Sequence, residues 1–481
     1  MTSQSGRLGS VASIGDGSLV ERQSSRGTLL VGVLALAAGS FSVLQSLVAP
    51  ALPTLARDLS VTPASAAWIL TAYLLAASVA TAVLGKLGDV VGKRRVLLGV
   101  LVALTVGTVI CALADSLPVL ILGRVVQGMA GALFPLSFGL IRDGLAPARV
   151  PTAIGILSAI LGVGGGIGIV LAGPIVDNLS WHWLFWGPLV LIVPALVAAY
   201  FVIQESPVRA RTGIGWVGAL LLSAALVALL LGISEGSSWG WTSGRVIGLF
   251  VAAVVIGAAW VWSDAHSATP LVDMRMLRAP AIWPANLISL LLGVGLFGSF
   301  ILIPQMLQLP ESTGFGFGAS ITESGLYLLP STVAMLVFGP MAGRLNRLFG
   351  GKTVLGAGTL LTALAFVVLA VAHSAGWQII LAMVLSGAGI GLAFAAMVNV
   401  VVVAVSEAET GIATGINTLV RSIGGGVGSQ VLAAIITANV ATSGLPAERG
   451  FTISFIVTAG LLLVGFGSCL LLPNRPRPDA V

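Results

Sequence analysis

The sequence predicts an all-α polytopic membrane protein with fourteen spanning helices, and three observations carry that prediction. Of the 481 residues only 8% are charged and 57% are hydrophobic, whereas a soluble domain carries about 25% charged residues. Apolar runs of about 20 residues, long enough to cross a hydrocarbon core as a helix, recur along nearly the whole chain. Lys and Arg gather in alternate breaks between those runs, as the positive-inside rule requires. This composition excludes a soluble enzyme and a disordered chain. It also assigns the net charge of +6 to membrane-flanking loops and not to a nucleic-acid surface.

The elements follow in order. Residues 1–27 are polar and rich in Ser, Gly and Arg, and read as a disordered cytosolic tail. The first apolar stretch runs on past Leu47 without the cleavage site of a signal peptide, so it reads as a retained span. Six spans near 28–50, 66–88, 95–114, 118–142, 151–174 and 182–203 make an N-terminal half, 28–203. Segment 204–281 reads as a linker holding two further spans, 213–233 and 245–263. Six more, near 282–309, 320–343, 353–373, 377–405, 411–438 and 451–472, make a C-terminal half, 282–473, before a cytosolic tail, 474–481. With the N-terminus inside, 18 of the 23 Lys and Arg face the cytosol, Arg57, Arg245 and Arg449 face out, and Arg124 and Arg421 fall within spans. Both termini are therefore expected in the cytosol.

An internal repeat supports the count. Ala153, Gly155, Ile156, Gly164, Gly165, Gly166 and Gly168 recur 260 residues later as Ala413, Gly415, Ile416, Gly424, Gly425, Gly426 and Gly428. GKLGDVVGKR from Gly85 recurs as GRLNRLFGGK from Gly343, at offset 258. Six spans fill 28–203, so these offsets leave room for one extra pair between two like-oriented halves. Repeated halves of this kind are common in secondary transporters.

Certain residues carry chemistry. Gly85 and Gly92 permit a tight junction after the second span. Asp89 beside Lys93 and Arg94 can latch a neighbouring helix end by charge-assisted hydrogen bonds. Within the fourth span, Arg124 and Gln127 share a face. An arginine there either snorkels outward or faces a partner or wet cavity. Gly164, Gly168, Gly173 and Pro174 in the fifth span, and Gly424 and Gly428 in its repeat, suit close helix packing or a hinge. Gln45, Tyr73, Gln305, Gln308, Tyr327, Asn399 and Asn417 are polar or aromatic groups within spans, candidates for a substrate cavity or for interhelical hydrogen bonds. SWHWLFW (180–186) and SSWGW (237–241) read as aromatic anchors on the outer side. Cys111 and Cys469 lie in apolar spans and read as packing residues. The three histidines stand singly, so neither a metal site nor a cofactor is expected.

The loop from Gly85 to Arg95 resembles the signature loop of the major facilitator superfamily, Gly-x-Leu-x-Asp-x-x-Gly followed by two basic residues. Arg124-x-x-Gln127-Gly128 resembles its second motif. Tryptophan clusters, Gln308, GLYLLP (325–330) and Asn417-x-x-x-Arg421 resemble landmarks of the fourteen-span drug:proton antiporter branch. The resemblance implies a major facilitator fold of two six-helix halves plus two inserted helices. It also implies a gating latch at Gly85, Asp89, Gly92, Lys93 and Arg94, and a proton-linked role for Arg124. The antiporter glycine motif is incomplete, with Ile169 in place of its proline, and Leu44 stands where related exporters have an acid in the first span. All 17 carboxylates fall in tails, loops or last turns of spans, leaving Glu323, Asp143 and Asp89 as acidic candidates for coupling beside Arg124, Gln127 and Arg421. The expectation is a monomeric bacterial inner-membrane exporter of a small lipophilic substrate, in exchange for protons. The alternative is a lipid or glycolipid exporter, or a facilitator, without conventional proton coupling.

Overall fold

The computed structural model describes residues 12–210, 213–441 and 445–473. Among the described residues, fourteen helices are long and apolar enough to cross a membrane. They are α1 (Ala12–Asp58), α2 (Pro63–Val91), α3 (Lys93–Ala112), α4 (Leu117–Gly144), α5 (Val150–Asn178), α6 (Trp183–Val202) and α7 (Trp216–Trp239). The rest are α8 (Gly244–His266), α9 (Ile282–Leu307), α10 (Ile321–Phe349), α11 (Gly351–Val371), α12 (Gly376–Ala404), α13 (Thr410–Ala438) and α14 (Glu448–Ser468). Helix α1 enters the stretch expected to be a disordered tail. Residues 12–27 continue it, because extending an existing helix avoids the cost of nucleating one. Residues 1–11 and 474–481 of the expected tails lie outside the described residues.

Each half has its own core. One cluster joins Leu34, Phe41, Leu97, Leu133, Ile154 and Phe185, and a second joins Ile288, Phe366, Met383, Phe394 and Phe455. The repeat glycines do the same work in both halves. A Cβ on Gly164 or Gly168 of α5 would collide with Ser42 or Ser46 of α1. One on Gly424 or Gly428 of α13 would collide with Leu290 or Val294 of α9. Close backbone approach of the fifth helix to the first is thus built twice. Gly92 (φ 131°) joins α2 directly to α3, and Gly350 (φ 84°) joins α10 to α11 at the equivalent place in the repeat. Both conformations favour glycine.

The halves meet along two seams. Helix α5 packs on α10, where Gly155 meets the Gly339 carbonyl, and α2 packs on α13, where Gly85 meets Gly411. The inserted α7 covers the second seam: Ala219, Leu222 and Leu226 pack with Ala82 of α2 and Ile412, Ile416 and Leu419 of α13. Its partner α8 turns Val251, Val254, Val255 and Trp262 outward.

Candidate functional site

The loops that follow α2, α4, α10 and α12 share the end of the bundle where basic residues concentrate, and there the halves are tied. Asp89, fully buried in the last turn of α2, accepts hydrogen bonds from the Gly411 amide (3.2 Å) and the Ile412 amide (3.0 Å). Those amides open α13, where unpaired N–H groups form the positive end of the helix dipole. A Cβ on Gly411 would lie 2.7 Å from the Gly85 carbonyl and 2.8 Å from an Asp89 carboxylate oxygen, so only glycine allows the approach. Lys93 Nζ lies 2.6 Å from Asp143 and 3.8 Å from Asp89, and donates to the Glu407 carbonyl at 3.3 Å. Arg142 donates to the carbonyls of Val405 (3.0 Å) and Ser406 (3.2 Å) and to the Thr410 hydroxyl (2.8 Å). Val405 caps the C-terminal, negative end of α12. An acid of one half therefore holds a helix start of the other, and a base holds a helix end.

Of the expected latch residues, Gly85, Asp89, Gly92 and Lys93 gather here. Arg94 instead turns within its own half and donates to the Tyr200 carbonyl at 2.7 Å. Three partners escape the sequence reading. Arg142 is one. Glu205 is another, accepting from the first amides of α3 at Arg94 (3.1 Å) and Arg95 (3.3 Å). The third is the linker itself, where the Ser206 hydroxyl donates to Asp143 and the Ala210 amide to the Asp89 carbonyl. The weaker repeat of the loop also bridges the halves, because Arg347 donates to the Ala148 carbonyl at 2.9 Å.

Deeper in the bundle stand the two span arginines. Arg124 is fully buried and does not snorkel. It donates to the Ile69 carbonyl (3.1 Å) and to Gln127 (2.9 Å), and its guanidinium carbon lies 4.2 Å from the centre of the Tyr73 ring. Gln127 donates in turn to Thr108 (3.0 Å). The second terminal nitrogen of Arg124 and the Tyr73 hydroxyl are buried without a partner among the described residues. Arg421 is 8% exposed, with its guanidinium carbon 4.5 Å from the centre of the Phe394 ring. One turn earlier, Asn417 donates to Asn286 (3.0 Å) and accepts from Ser289 (3.3 Å). Among the described residues, neither deep arginine has a carboxylate within ion-pair distance.

The remaining candidates do not gather into one cavity. Gln305 and Gln308 are exposed at the end of α9, Gln45 is half-buried, and Asn399 donates to Ala395 of its own helix. Tyr327 lies beside Phe317 of the α9–α10 connection. Glu323 is exposed and closes a capping box with Ser320 at the start of α10. Hydropathy marks a polar residue in a span, not the direction it faces. Nor does position near a span end leave the acids in water. Asp89, Asp143, Glu235 and Asp264 are all buried at their side chains or nearly so. Asp264 accepts from Trp260 (2.9 Å), Leu271 (3.3 Å) and Val272 (3.1 Å), because the chain after α8 folds back over it. The aromatic clusters divide as well. Trp183, Trp186, Trp239 and Trp241 are exposed, but Trp181 is buried and stacks on His182.

Comparison with known proteins places this geometry in context. The family model for the Major Facilitator Superfamily matches residues 30–215 and 306–481. An uncharacterised MFS-type transporter of Mycobacterium tuberculosis is 31% identical over 415 residues, 85% of this chain but 58% of that protein. The chain thus spans less than two thirds of that relative's length. The tetracenomycin C resistance and export protein of Streptomyces glaucescens is 30% identical over 415 residues, 85% of this chain and 75% of that protein. The multidrug transporter protein MdtP of Bacillus subtilis is 27% identical over 425 residues, covering 87% and 76%. In fold, the crystal structure of the human organic anion transporter MFSD10 superposes with a TM-score of 0.66 at 17% identity, covering 92% of this chain and 99% of that one.

Proposed function

The chain belongs to the Major Facilitator Superfamily, a family of membrane transporters and not of enzymes, and from that membership we propose a secondary exporter of lipophilic or amphiphilic compounds, working by alternating access in exchange for protons. The observation that carries this reading is the latch. Two separately cored halves are joined at one end by Asp89 on the α13 amides and Arg142 on the α12 carbonyls. Such a clamp has two discrete states, closed as here or parted, which is what alternating access needs. The charge bias of the loops supports a cytosolic assignment for the latched end, in a bacterial inner membrane and with both termini inside. The closed latch then corresponds to a transporter shut toward the cytosol. The multidrug and antibiotic-export names of the relatives support export of lipophilic compounds.

Proton coupling would act through groups of two kinds. Asp89 and Asp143 sit in the latch, where protonation removes the charge that holds the α13 amides and Lys93. Arg124 and Gln127 join α4 to α2 and α3 deeper in the bundle. The second reading, an exporter or facilitator of lipids or glycolipids without proton coupling, draws on the absence of a carboxylate beside either deep arginine among the described residues.

The test is substrate-driven proton movement by the purified chain in liposomes, with export measured in parallel. Release of protons on adding transported compounds is expected. Export with no pH response would overturn the coupling and leave the second reading. Asp89→Asn is expected to slow export about tenfold, since a hydrogen bond to a charged group contributes about 1.5–3 kcal/mol and 1.4 kcal/mol is a factor of ten. Export unaffected by that change would remove the latch from the mechanism.

A further inference from the structure

Arg421 has a feature that the latch does not use: a buried positive charge that meets no carboxylate among the described residues. An arginine is always protonated, and an unpaired charge is among the costliest groups to bury. Arg124 distributes its donors over Ile69 and Gln127. Arg421, by contrast, has no hydrogen-bond acceptor among the described residues, and its guanidinium lies over the face of Phe394. Stacking on a ring face leaves the N–H edge of a guanidinium open, and that edge matches a carboxylate in a two-pronged fashion.

Its position adds a second, independent argument. Phe394, Val398 and Val402 are spaced four residues apart and form one stripe of α12. Val398 and Val402 pack into the core of the N-terminal half while Phe394 belongs to that of the C-terminal half, so the stripe runs from the C-terminal core to the division between the halves. Arg421, over Phe394, therefore stands one helical turn from the division that alternating access must open. The backbone beneath it is fixed, because a Cβ on Gly293 of α9 would collide with the Arg421 carbonyl. Asn417 on the preceding turn is held by Asn286 and Ser289. The repeat does not demand a base here, since the residue 260 positions earlier is Leu161. The buried acids are committed elsewhere, Asp89 to α13, Asp143 to Lys93, Glu235 to Ser238 and Asp264 to the chain after α8.

We propose that Arg421 anchors the acidic head of the transported compound, so that the substrate is a carboxylate-bearing amphiphile whose apolar body lies along the Phe394–Val398 stripe. The proposal rests on the exporter reading above and specifies the charge of its substrate. One guanidinium with no second base in contact neutralises one negative charge, which favours a carboxylate over a dianionic phosphate monoester.

The test uses three probes of matched shape on the full chain in detergent and in liposomes: 1-pyrenebutyrate, its methyl ester, and pyrenebutyl-trimethylammonium. The carboxylate is expected to bind at least about tenfold more tightly than the ester, the size of one charge-assisted contact. The ammonium probe is expected to bind worst. Arg421→Gln should bring the carboxylate-to-ester ratio near one and abolish the rise in unfolding temperature that the carboxylate produces in the wild type. Arg421→Lys, which keeps the charge but not the fork, should retain part of the ratio, and serves if the Gln variant does not fold. A wild-type ratio near one, or a ratio that survives Arg421→Gln, overturns the proposal. If the ester or ammonium probe is exported and the carboxylate is not favoured, the substrate charge is wrong and the exporter reading stands. If none of the three is bound or moved, both fall.

Discussion

Lys93 shows at the scale of one residue why the latch is either whole or lost. It is fully buried between Asp89 and Asp143, with Asp143 only 2% exposed at the side chain. Removing two carboxylates and an ammonium from water is costly, and mutual pairing with added hydrogen bonds offsets that cost only while every member is present. Lys93→Met is therefore expected to destabilise the purified protein by about 3–5 kcal/mol, the range for breaking one side of a buried pair. Adding Asp143→Asn should recover much of that loss, because the stranded charge is gone while Asp89 keeps the Gly411 and Ile412 amides. Thermal unfolding of the two variants beside the wild type measures both. A double variant no more stable than the single one would mean that Asp143 is not the charge left stranded. The spacing of Gly85, Asp89, Gly92 and Lys93 makes the side-chain half of the latch legible in the sequence. Its backbone half is not legible, since amides and carbonyls at 405–412 carry no side-chain signature.

At the scale of the helix, sequence and structure agree where one physical signal suffices. Fourteen apolar runs become fourteen spans because lipid allows an isolated backbone only the helix. Gly164 and Gly168, repeated at offset 260 as Gly424 and Gly428, mark α5 on α1 and α13 on α9 because close contact excludes every larger side chain. Agreement fails where the outcome depends on what folds over an end: Asp264 is covered by Leu271 and Val272, and Trp181 by its own stack with His182. Glu323 is the instructive case. From the sequence it is an acid at a span end and so a coupling candidate. In the fold it accepts from the Ser320 amide at 2.8 Å while the Ser320 hydroxyl accepts from its own amide at 3.2 Å. A capping box accounts for it. Ser320→Ala is expected to cost about 1 kcal/mol, the usual loss of a helix cap. Glu323→Gln, which keeps an acceptor, should cost less and leave substrate-driven proton release intact. Loss of proton release in Glu323→Gln would return this residue to the coupling path.

For the whole molecule, alternating access as proposed turns on which contacts part when the halves rock. On the α5–α10 side the basic end is joined by Thr152 against Gly343, by Gly155 against Gly339 and by Arg347 on the Ala148 carbonyl. The same pair of helices also meets farther along, at Gly166 with Thr332 and Gly173 with Thr322. A rocking motion that opens one end must separate the first group while the second serves as the pivot. On the other seam, α7 bonds to α2 through Ser234 and Thr71 at 2.7 Å and touches α13 where Ile233 meets Gly426. The inserted pair must therefore travel with one half and release the other. Joining Ala148→Cys to Arg347→Cys with a short bis-maleimide would tie the basic end shut across the first seam. Both positions are exposed, and the native Cys111 and Cys469 are buried, so the reagent reaches only the introduced pair. Export is expected to stop in proportion to the fraction cross-linked, and to return when a linker with a reducible centre is cleaved. Export that continues under complete cross-linking would show that the basic end does not have to part along α5 and α10, and would move the opening to the α2–α13 seam that α7 covers.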